Sequence, residues 1–253
     1  MADLSRRFAC AALLFSPLIA QAALTDTIVR VKPSIVVVGT YMRSRAPAFM
    51  LRGTGFIVGN GTLVATNTHV ADTALDSQKL ETLAVLTTVD GQRQMREARI
   101  VASSPEHDLT LLQIEGPALP ALPLGDSSKV REGQSIAFIG FPIGSVLGFT
   151  PVTHRGIVSA ITPIAIPVDN MNRLNATNRG FLSRGSFPVF QLDATAYPGN
   201  SGSPVFDQDT GEVVGIINMV LVKAGKESGL SQPSGITYAI PVSHLAALMA
   251  APR

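Results

Sequence analysis

The sequence has very little cysteine: one residue, Cys10, among 253. A chain with a single cysteine cannot close an internal disulfide, and it cannot build a metal site from several thiolates. Histidine spacing adds nothing here, because no H-E-x-x-H and no other His pair at ligand spacing occurs. We therefore expect no metal and no other cofactor, and a fold that is stabilised by its apolar core alone.

Strong charge of either sign is also missing. The chain carries 20 basic and 18 acidic residues, for a net charge of +2, and it contains no basic run. It also lacks the G-x-x-x-x-G-K-[ST] loop that cradles phosphates. These absences argue against nucleic acid as a partner.

The first two dozen residues differ from the rest. Arg6 and Arg7 precede a short apolar run at 8–20, and small residues follow at Ala20 and Ala22. This pattern predicts a secretory signal peptide over residues 1–22, because the run is too short to span a bilayer. Its removal would take Cys10 with it and leave no stable membrane anchor. We expect the mature chain to be periplasmic or secreted.

Beyond residue 24 the pattern is that of short β-strands. Apolar or alternating runs rich in Val, Ile, Thr and Phe recur between turn residues, which indicates a sandwich or barrels. The runs lie at 35–41, 53–58, 62–67, 83–89, 109–114, 135–140, 156–161, 187–194 and 213–220. A proline-rich link at 116–128 divides them into units of about 24–120 and 124–253, which should meet at a cleft. Helix is predicted only briefly at 25–31 and at 241–250, and 167–186 is expected to be a surface loop.

The stretch 197-YPGNSGSPVF-206 raises the question of chemistry. Gly, Pro, Asn and Ser are ordinary turn residues, so the stretch alone fits a turn that leads into a strand at least as well as a reactive Ser201. A serine nucleophile needs a histidine base and a carboxylate that orients it. The α/β-hydrolase elbow G-x-S-x-G is excluded, because Ser203 occupies its last position.

Two residues of the first β unit could complete such a site. His69 follows the run at 62–67, and Asp108 directly precedes the run at 109–114. Taken alone, each is better explained without chemistry, His69 as a surface or capping residue and Asp108 as a loop cap. Together with Ser201 they give the order His, Asp, Ser across the expected cleft.

The sequence as a whole resembles the trypsin-like serine peptidases of the two-barrel, chymotrypsin-fold class, and most of all their HtrA/Deg type. The matching pieces are 53-GTGFIV-58, 64-VATNTHVAD-72, 106-EHDLTLLQI-114, 138-FIGFPIG-144, 156-GIVSA-160, 192-LDATAYPGNSGSPVF-206, 211-GEVVGIIN-218 and 235-GITYAIP-241. The resemblance implies an all-β fold of two six-stranded antiparallel β-barrels with a short C-terminal helix, in a peptidase domain over 23–253.

The same resemblance implies roles for individual residues. Ser201 would be the nucleophile, His69 the general base and acid, and Asp108 the group that orients His69. The backbone N–H groups of Gly199 and Ser201 would form the oxyanion hole. The primary pocket would be lined by Thr195, Ile217, Asn218, Met219 and Val220, and would suit small or medium aliphatic residues.

The sequence departs from the HtrA pattern in four ways. Ser203 replaces a second glycine, and Ile216 follows Gly215 where glutamyl-endopeptidase-like relatives carry a histidine. The loop at 42–52 is short, and we expect no PDZ domain after the terminal helix. We expect an exported serine endopeptidase that degrades unfolded polypeptides, as a monomer or a trimer. The alternatives are a catalytically silent relative that binds peptides, or a structural role.

Overall fold

The computed structural model describes residues 24–144, 148–163, 187–218 and 235–251. Its helices are α1 (Leu24–Val31), α2 (Thr68–Ala71) and α3 (Val242–Ala250), with single 3-10 turns at Lys32–Ser34, Ser77–Lys79 and Ser127–Lys129. The predicted signal peptide at 1–22 and the predicted loop at 167–186 lie outside the described residues. No helix within those ranges is long and apolar enough to cross a membrane.

The first six strands close into an antiparallel barrel in the order β1-β2-β3-β6-β5-β4. They are β1 (Ile35–Tyr41), β2 (Phe49–Val58), β3 (Leu63–Asn67), β4 (Thr82–Val89), β5 (Gln92–Ser104) and β6 (Leu109–Ile114). Pairing of β1 with β4, from Val37 opposite Leu86 to Tyr41 opposite Thr82, closes the barrel.

The next six strands repeat this arrangement in the order β10-β11-β12-β9-β8-β7. They are β7 (Ser135–Gly140), β8 (Val152–Pro163), β9 (Pro188–Asp193), β10 (Pro204–Asp207), β11 (Val213–Ile217) and β12 (Ile236–Pro241). The predicted fold class, two six-stranded antiparallel barrels with a short C-terminal helix, is therefore confirmed.

The apolar core has three parts. One cluster draws only on the first barrel and includes Val38 and Ile57. A second draws only on the second barrel and includes Phe138 and Leu192. The third combines both barrels with α1 and α3, and its buried members include Leu245. Each fully buried aliphatic side chain contributes about 1.5–3 kcal/mol relative to an exposed one, so this third cluster fixes how the barrels face each other.

The proline-rich link runs along both barrels rather than standing free between them. Leu122 donates its N–H to the Ile57 carbonyl on β2 at 2.9 Å. Two residues later Leu124 bridges Val213 on β11, and Gly125 donates to the Val213 carbonyl at 2.8 Å. The link thus connects the two barrels along a route that is itself hydrogen-bonded.

Candidate active site

The loop between β9 and β10 presents Ser201. It is closed by two backbone hydrogen bonds of 3.0 Å, from Asn200 N–H to the Tyr197 carbonyl and from Ser203 N–H to the Asn200 carbonyl. Gly199 and Gly202 take φ values of +102° and +86°, in the left-handed region that favours glycine. A side chain at Gly199 would overlap the Phe141 carbonyl oxygen. The glycines of the motif are therefore required by this turn.

Strand β2 of the first barrel holds this loop from the side. Thr54 donates its N–H to the Ser201 carbonyl at 2.8 Å and its hydroxyl to the Gly199 carbonyl at 2.7 Å. The same hydroxyl oxygen accepts the Phe141 N–H at 3.1 Å. Sequence reasoning missed Thr54, although its position between glycines in 53-GTG-55 was a signal of close backbone approach.

His69 lies on α2, the single helical turn that follows β3. Its Nδ1 is 2.6 Å from Oδ2 of Asp108, and its backbone N–H donates to Oδ1 of Asp108 at 2.9 Å. The carboxylate thus holds both the ring and the main chain of one residue, which fixes the imidazole orientation and places a proton on Nδ1. The remaining ring nitrogen, Nε2, makes no hydrogen bond with the residues that the structure describes.

Asp108 is buried, with 4% of its surface exposed, in a left-handed backbone conformation with φ +52°. Its main-chain carbonyl accepts the Thr68 N–H and the Asn67 side-chain amide, both at 3.1 Å. These bonds attach the start of β6 to the end of β3. They offset the cost of the strained backbone and bring Asp108 beside His69.

The second barrel also reaches Asp108. Asn218 is fully buried, and its Nδ2 donates to Oδ2 of Asp108 at 2.8 Å. We expected Asn218 in the substrate pocket, but its side-chain amide lies at the carboxylate instead. The Asp108 carboxylate thus has three hydrogen-bond partners: the backbone N–H and Nδ1 of His69, and Nδ2 of Asn218.

Gly53 on β2 lies between Val70 of α2 and the backbone of the Ser201 loop. A Cβ on Gly53 would lie 2.7 Å from Cγ2 of Val70, which follows His69, and 2.9 Å from the Ser201 carbonyl oxygen. The helix that carries the imidazole and the loop that carries the hydroxyl therefore pack on one glycine. Within the described ranges, His69 and Ser201 form no hydrogen bond with each other.

Two backbone amides of the loop lack an internal acceptor. In the part of the chain that the structure describes, the N–H groups of Gly199 and Ser201 donate to no protein group. The Pro198 carbonyl accepts the Ile143 N–H at 2.7 Å. Since N–H and C=O point in opposite directions across a trans peptide, this bond turns the Gly199 N–H away from Ile143.

The other predicted pocket residues lie in different surroundings. Thr195 is half-buried, just after β9. Ile217 is fully buried and packs inside the second barrel with Phe138 and Ala196. Met219 and Val220 lie outside the described residues. The described ranges also contain no group of three or more His, Cys, Asp or Glu residues placed to hold a metal ion.

Ser203 is fully buried directly behind the loop. Its Oγ has no hydrogen-bond partner among the described residues, and neither do the two amide atoms of Asn200, which is also fully buried. A Cβ on Gly140 would overlap the Ser203 Oγ and lie 2.7 Å from Oδ1 of Asn200. The hydroxyl that replaces the usual glycine hydrogen is therefore accommodated against Gly140.

Known proteins resemble this chain in sequence and in fold. The family model described as "Trypsin-like peptidase domain" matches residues 53–216. A probable periplasmic serine endoprotease DegP-like from Marinomonas sp. (strain MWYL1) is 35% identical over 189 residues, 75% of this chain and 33% of that protein. A protein of the same name from Pseudomonas putida (strain GB-1) is 33% identical over 192 residues, 76% of this chain and 34% of that protein. The chain thus spans about a third of the length of these relatives.

Two solved structures extend the likeness. The HtrA-type protease AlgW with tripeptide is 27% identical with a TM-score of 0.63, and the match covers 90% of this chain and 62% of that one. Deg5 is 25% identical with a TM-score of 0.62, covering 88% and 90% of the two chains. The resemblance to HtrA/Deg proteases is thereby confirmed. The chain belongs to the trypsin-like peptidase domain family.

Proposed function

We propose that this protein is an exported serine endopeptidase that cleaves polypeptides through an acyl-enzyme intermediate. The observation that carries the proposal is the pairing of His69 Nδ1 with Asp108 Oδ2 at 2.6 Å. Helix α2, which carries His69, packs through Gly53 against the loop of the buried Ser201, in which two N–H groups have no acceptor among the described residues. An oriented base, a hydroxyl and two free amides are the parts that acyl transfer requires.

In the proposed mechanism, the Ser201 Oγ attacks the scissile carbonyl while Nε2 of His69 takes the hydroxyl proton. Asp108 stabilises the imidazolium that forms, and the N–H groups of Gly199 and Ser201 bind the oxyanion. His69 then donates the proton to the leaving amine, so that the peptide C–N bond breaks. Water activated by His69 hydrolyses the ester and restores Ser201.

The proposed substrates are unfolded or partly unfolded polypeptides in the periplasm or outside the cell. This part rests on the relatives, which are named periplasmic serine endoproteases, and on the solved HtrA-type protease that holds a tripeptide. Export would follow from the signal peptide predicted at 1–22. A primary pocket for small or medium aliphatic residues, with Thr195 at its wall, remains part of the proposal.

A second candidate is a catalytically silent relative that binds peptides along the same cleft. It is favoured by one observation, the lack of a hydrogen bond between His69 and Ser201 in the described ranges. Catalytic hydrogen bonds are often long in ligand-free enzymes and shorten when substrate binds, which is why we prefer the active peptidase.

The two candidates separate in one experiment. Mature protein and a Ser201→Ala variant are treated with a fluorophosphonate probe, and casein cleavage is followed in parallel. We expect labelling and cleavage by the native protein alone. Ser127→Ala, which alters another buried serine hydroxyl, serves as the control and should label normally. Equal labelling of all three proteins, or none together with intact casein, would reject the peptidase.

A further inference from the structure

Three aromatic rings from distant parts of the chain meet beside Asp108. His107 directly precedes Asp108, His244 lies on α3, and Phe187 immediately precedes β9. The imidazoles of His107 and His244 stack with centroids 3.9 Å apart and planes at 24°. The Phe187 ring approaches both near its edge, at 4.9 Å from His107 and 5.0 Å from His244. We call these three residues the ring clamp.

His107 also forms part of the turn that aims Asp108. The His107 N–H donates to the Ser104 carbonyl at 3.1 Å, and the Asp108 N–H to the Pro105 carbonyl at 3.3 Å. The Ser104 hydroxyl donates to Glu106 Oε1 at 2.6 Å, and its oxygen is 2.8 Å from Nδ1 of His107. A hydroxyl has one proton, so Nδ1 of His107 must be the donor in this second bond.

We propose that His107 is a positioning residue for Asp108, held in place by His244 and Phe187, and that protonation of the ring clamp at acidic pH releases it. The inference rests on the proposed function, in which Asp108 orients His69. Since Asp108 has a strained left-handed backbone, its side-chain direction depends on the turn before it. The ring clamp fixes the outer edge of that turn to the second barrel and α3.

The charges around the ring clamp favour its opening when the imidazoles are protonated. Protonating both stacked imidazoles would place two positive charges about 4 Å apart, a repulsion that the Glu106 carboxylate offsets only in part. Helix α3 has no charged residue besides His244, and β6, β11 and β12 have none. Other charged groups on elements packed against α3 are Arg93, Arg96, Glu97 and Arg99 of β5, and Lys129, which pairs with Asp126.

Burial, together with the neighbouring His107, lowers the pKa of His244 from 6.5 to about 4, and Glu106 opposes the shift. The closed clamp therefore disfavours the imidazolium. The stabilisation of the closed clamp by neutral His244 is fully present above pH 6.5. It decreases as the pH falls toward 4, because the open form binds the proton more readily. By this linkage the open fraction rises about tenfold or more between pH 8 and pH 5.

Hydrogen exchange tests the clamp without relying on catalysis. In a Ser201→Ala background, amide exchange over 104–109 and 242–250 is measured at pH 8 and pH 5 and corrected for the intrinsic rates. We expect about tenfold faster corrected exchange at pH 5. His244→Phe, which keeps a ring without the charge, should abolish the pH effect. His154→Phe, which changes an imidazole stacked on Phe138 in the second barrel, should retain it.

Activity tests the positioning role. His107→Ala should lower kcat about ten- to a hundred-fold with little change in KM, because Asp108 loses its alignment. The ratio of kcat at pH 8 to kcat at pH 5.5 should be smaller in His244→Phe than in the native enzyme. Equal ratios, or exchange that is insensitive to pH, would overturn the inference while leaving the peptidase intact. Absent fluorophosphonate labelling of Ser201 would instead overturn the proposed function, and the positioning role with it.

Discussion

Asn218 of the second barrel donates its amide to the same carboxylate oxygen of Asp108 that lies against the His69 ring, at 2.8 Å and 2.6 Å respectively. The carboxylate on which His69 depends is thus fixed by both barrels. We expect Asn218→Ala to lower kcat/KM about ten- to a hundred-fold, since a hydrogen bond to a charged group is worth about 1.5–3 kcal/mol.

The measurement is steady-state cleavage of a peptide substrate by folded protein. Asn60→Ala is the matched control, because Asn60 caps the exposed turn between β2 and β3, and among the described residues its side chain bonds Thr62 alone. Native activity in Asn218→Ala would show that the bond has no part in orienting Asp108.

Gly199 is the second test, because its φ of +102° and its contact with the Phe141 carbonyl leave no room for a side chain. Gly199→Ala should displace one oxyanion donor and reduce kcat by about 10²–10³. Gly133→Ala is the control: Gly133 also has a positive φ, +84°, but nothing lies within 4 Å of its added Cβ. It should lose about 1–2 kcal/mol of stability and keep its kcat. Similar kinetic losses in both variants would argue against an oxyanion role for Gly199.

Removal of the Ser203 hydroxyl should stabilise the protein rather than weaken it. The buried Ser203 Oγ has no hydrogen-bond partner among the described residues, and an unpaired buried hydroxyl costs about 1–3 kcal/mol. Ser203→Ala should therefore raise the unfolding free energy in urea by about 1 kcal/mol. Ser127→Ala is the contrasting variant, because the Ser127 hydroxyl accepts the Ser243 N–H at 3.2 Å. It should destabilise. A destabilised Ser203→Ala protein would mean that the hydroxyl has a partner.

The loop between β1 and β2 should be sensitive to acid. Arg45 Nη1 lies 2.7 Å from Glu81 Oε1, and Arg45 also donates to the Thr40 carbonyl at 2.9 Å. The Thr40 hydroxyl, the Asp76 backbone N–H and Arg45 lower the pKa of Glu81 from 4.5 to about 2. This group therefore contributes stability that is present above pH 4.5 and lost as the pH falls through about 2.

Arg45→Gln should accordingly lower the Tm at pH 7, and the difference from native protein should shrink as the pH is lowered from 4.5 toward 2. Thermal unfolding followed by circular dichroism measures both. Arg43→Gln alters an exposed arginine of the same loop and should leave the Tm unchanged. A Tm difference for Arg45→Gln that stays constant with pH would show that the ion pair with Glu81 is not its cause.

Most strands could be predicted from the sequence because they bury at least one face and so read as apolar or alternating runs, whereas the choice of two barrels over a sandwich came from the family resemblance. Strand β5 (Gln92–Ser104) was missed for the opposite reason. Most of its residues are exposed or half-buried, so polar side chains fill both faces and no period-two pattern remains. Pairing with β4 and β6, which depends on the rest of the barrel, makes it a strand.

The candidate site also contains residues that the sequence identifies and contacts that it does not. The motifs around His69, Asp108 and Ser201 are local, so the sequence identifies them as candidates. The position of Asn218 was not predictable, because neighbouring residues at a strand end point to opposite sides. Ile217 faces the interior of the second barrel, and Asn218 faces the first barrel and Asp108. The contact of His107 with His244 joins residues 137 positions apart, which no local pattern reveals.

The hydrogen bonds from Thr54 to the Ser201 loop have a consequence for how loss of activity should be interpreted. Since strand β2 of one barrel supports the proposed nucleophile, which lies in the other barrel, a small rotation between the barrels should inactivate the serine while both barrels stay folded. Circular dichroism reports strand content and would not detect such a rotation. The catalytic rate would therefore report the relative orientation of the two barrels. Under pressure or mild denaturant, the rate should decline before any strand unfolds.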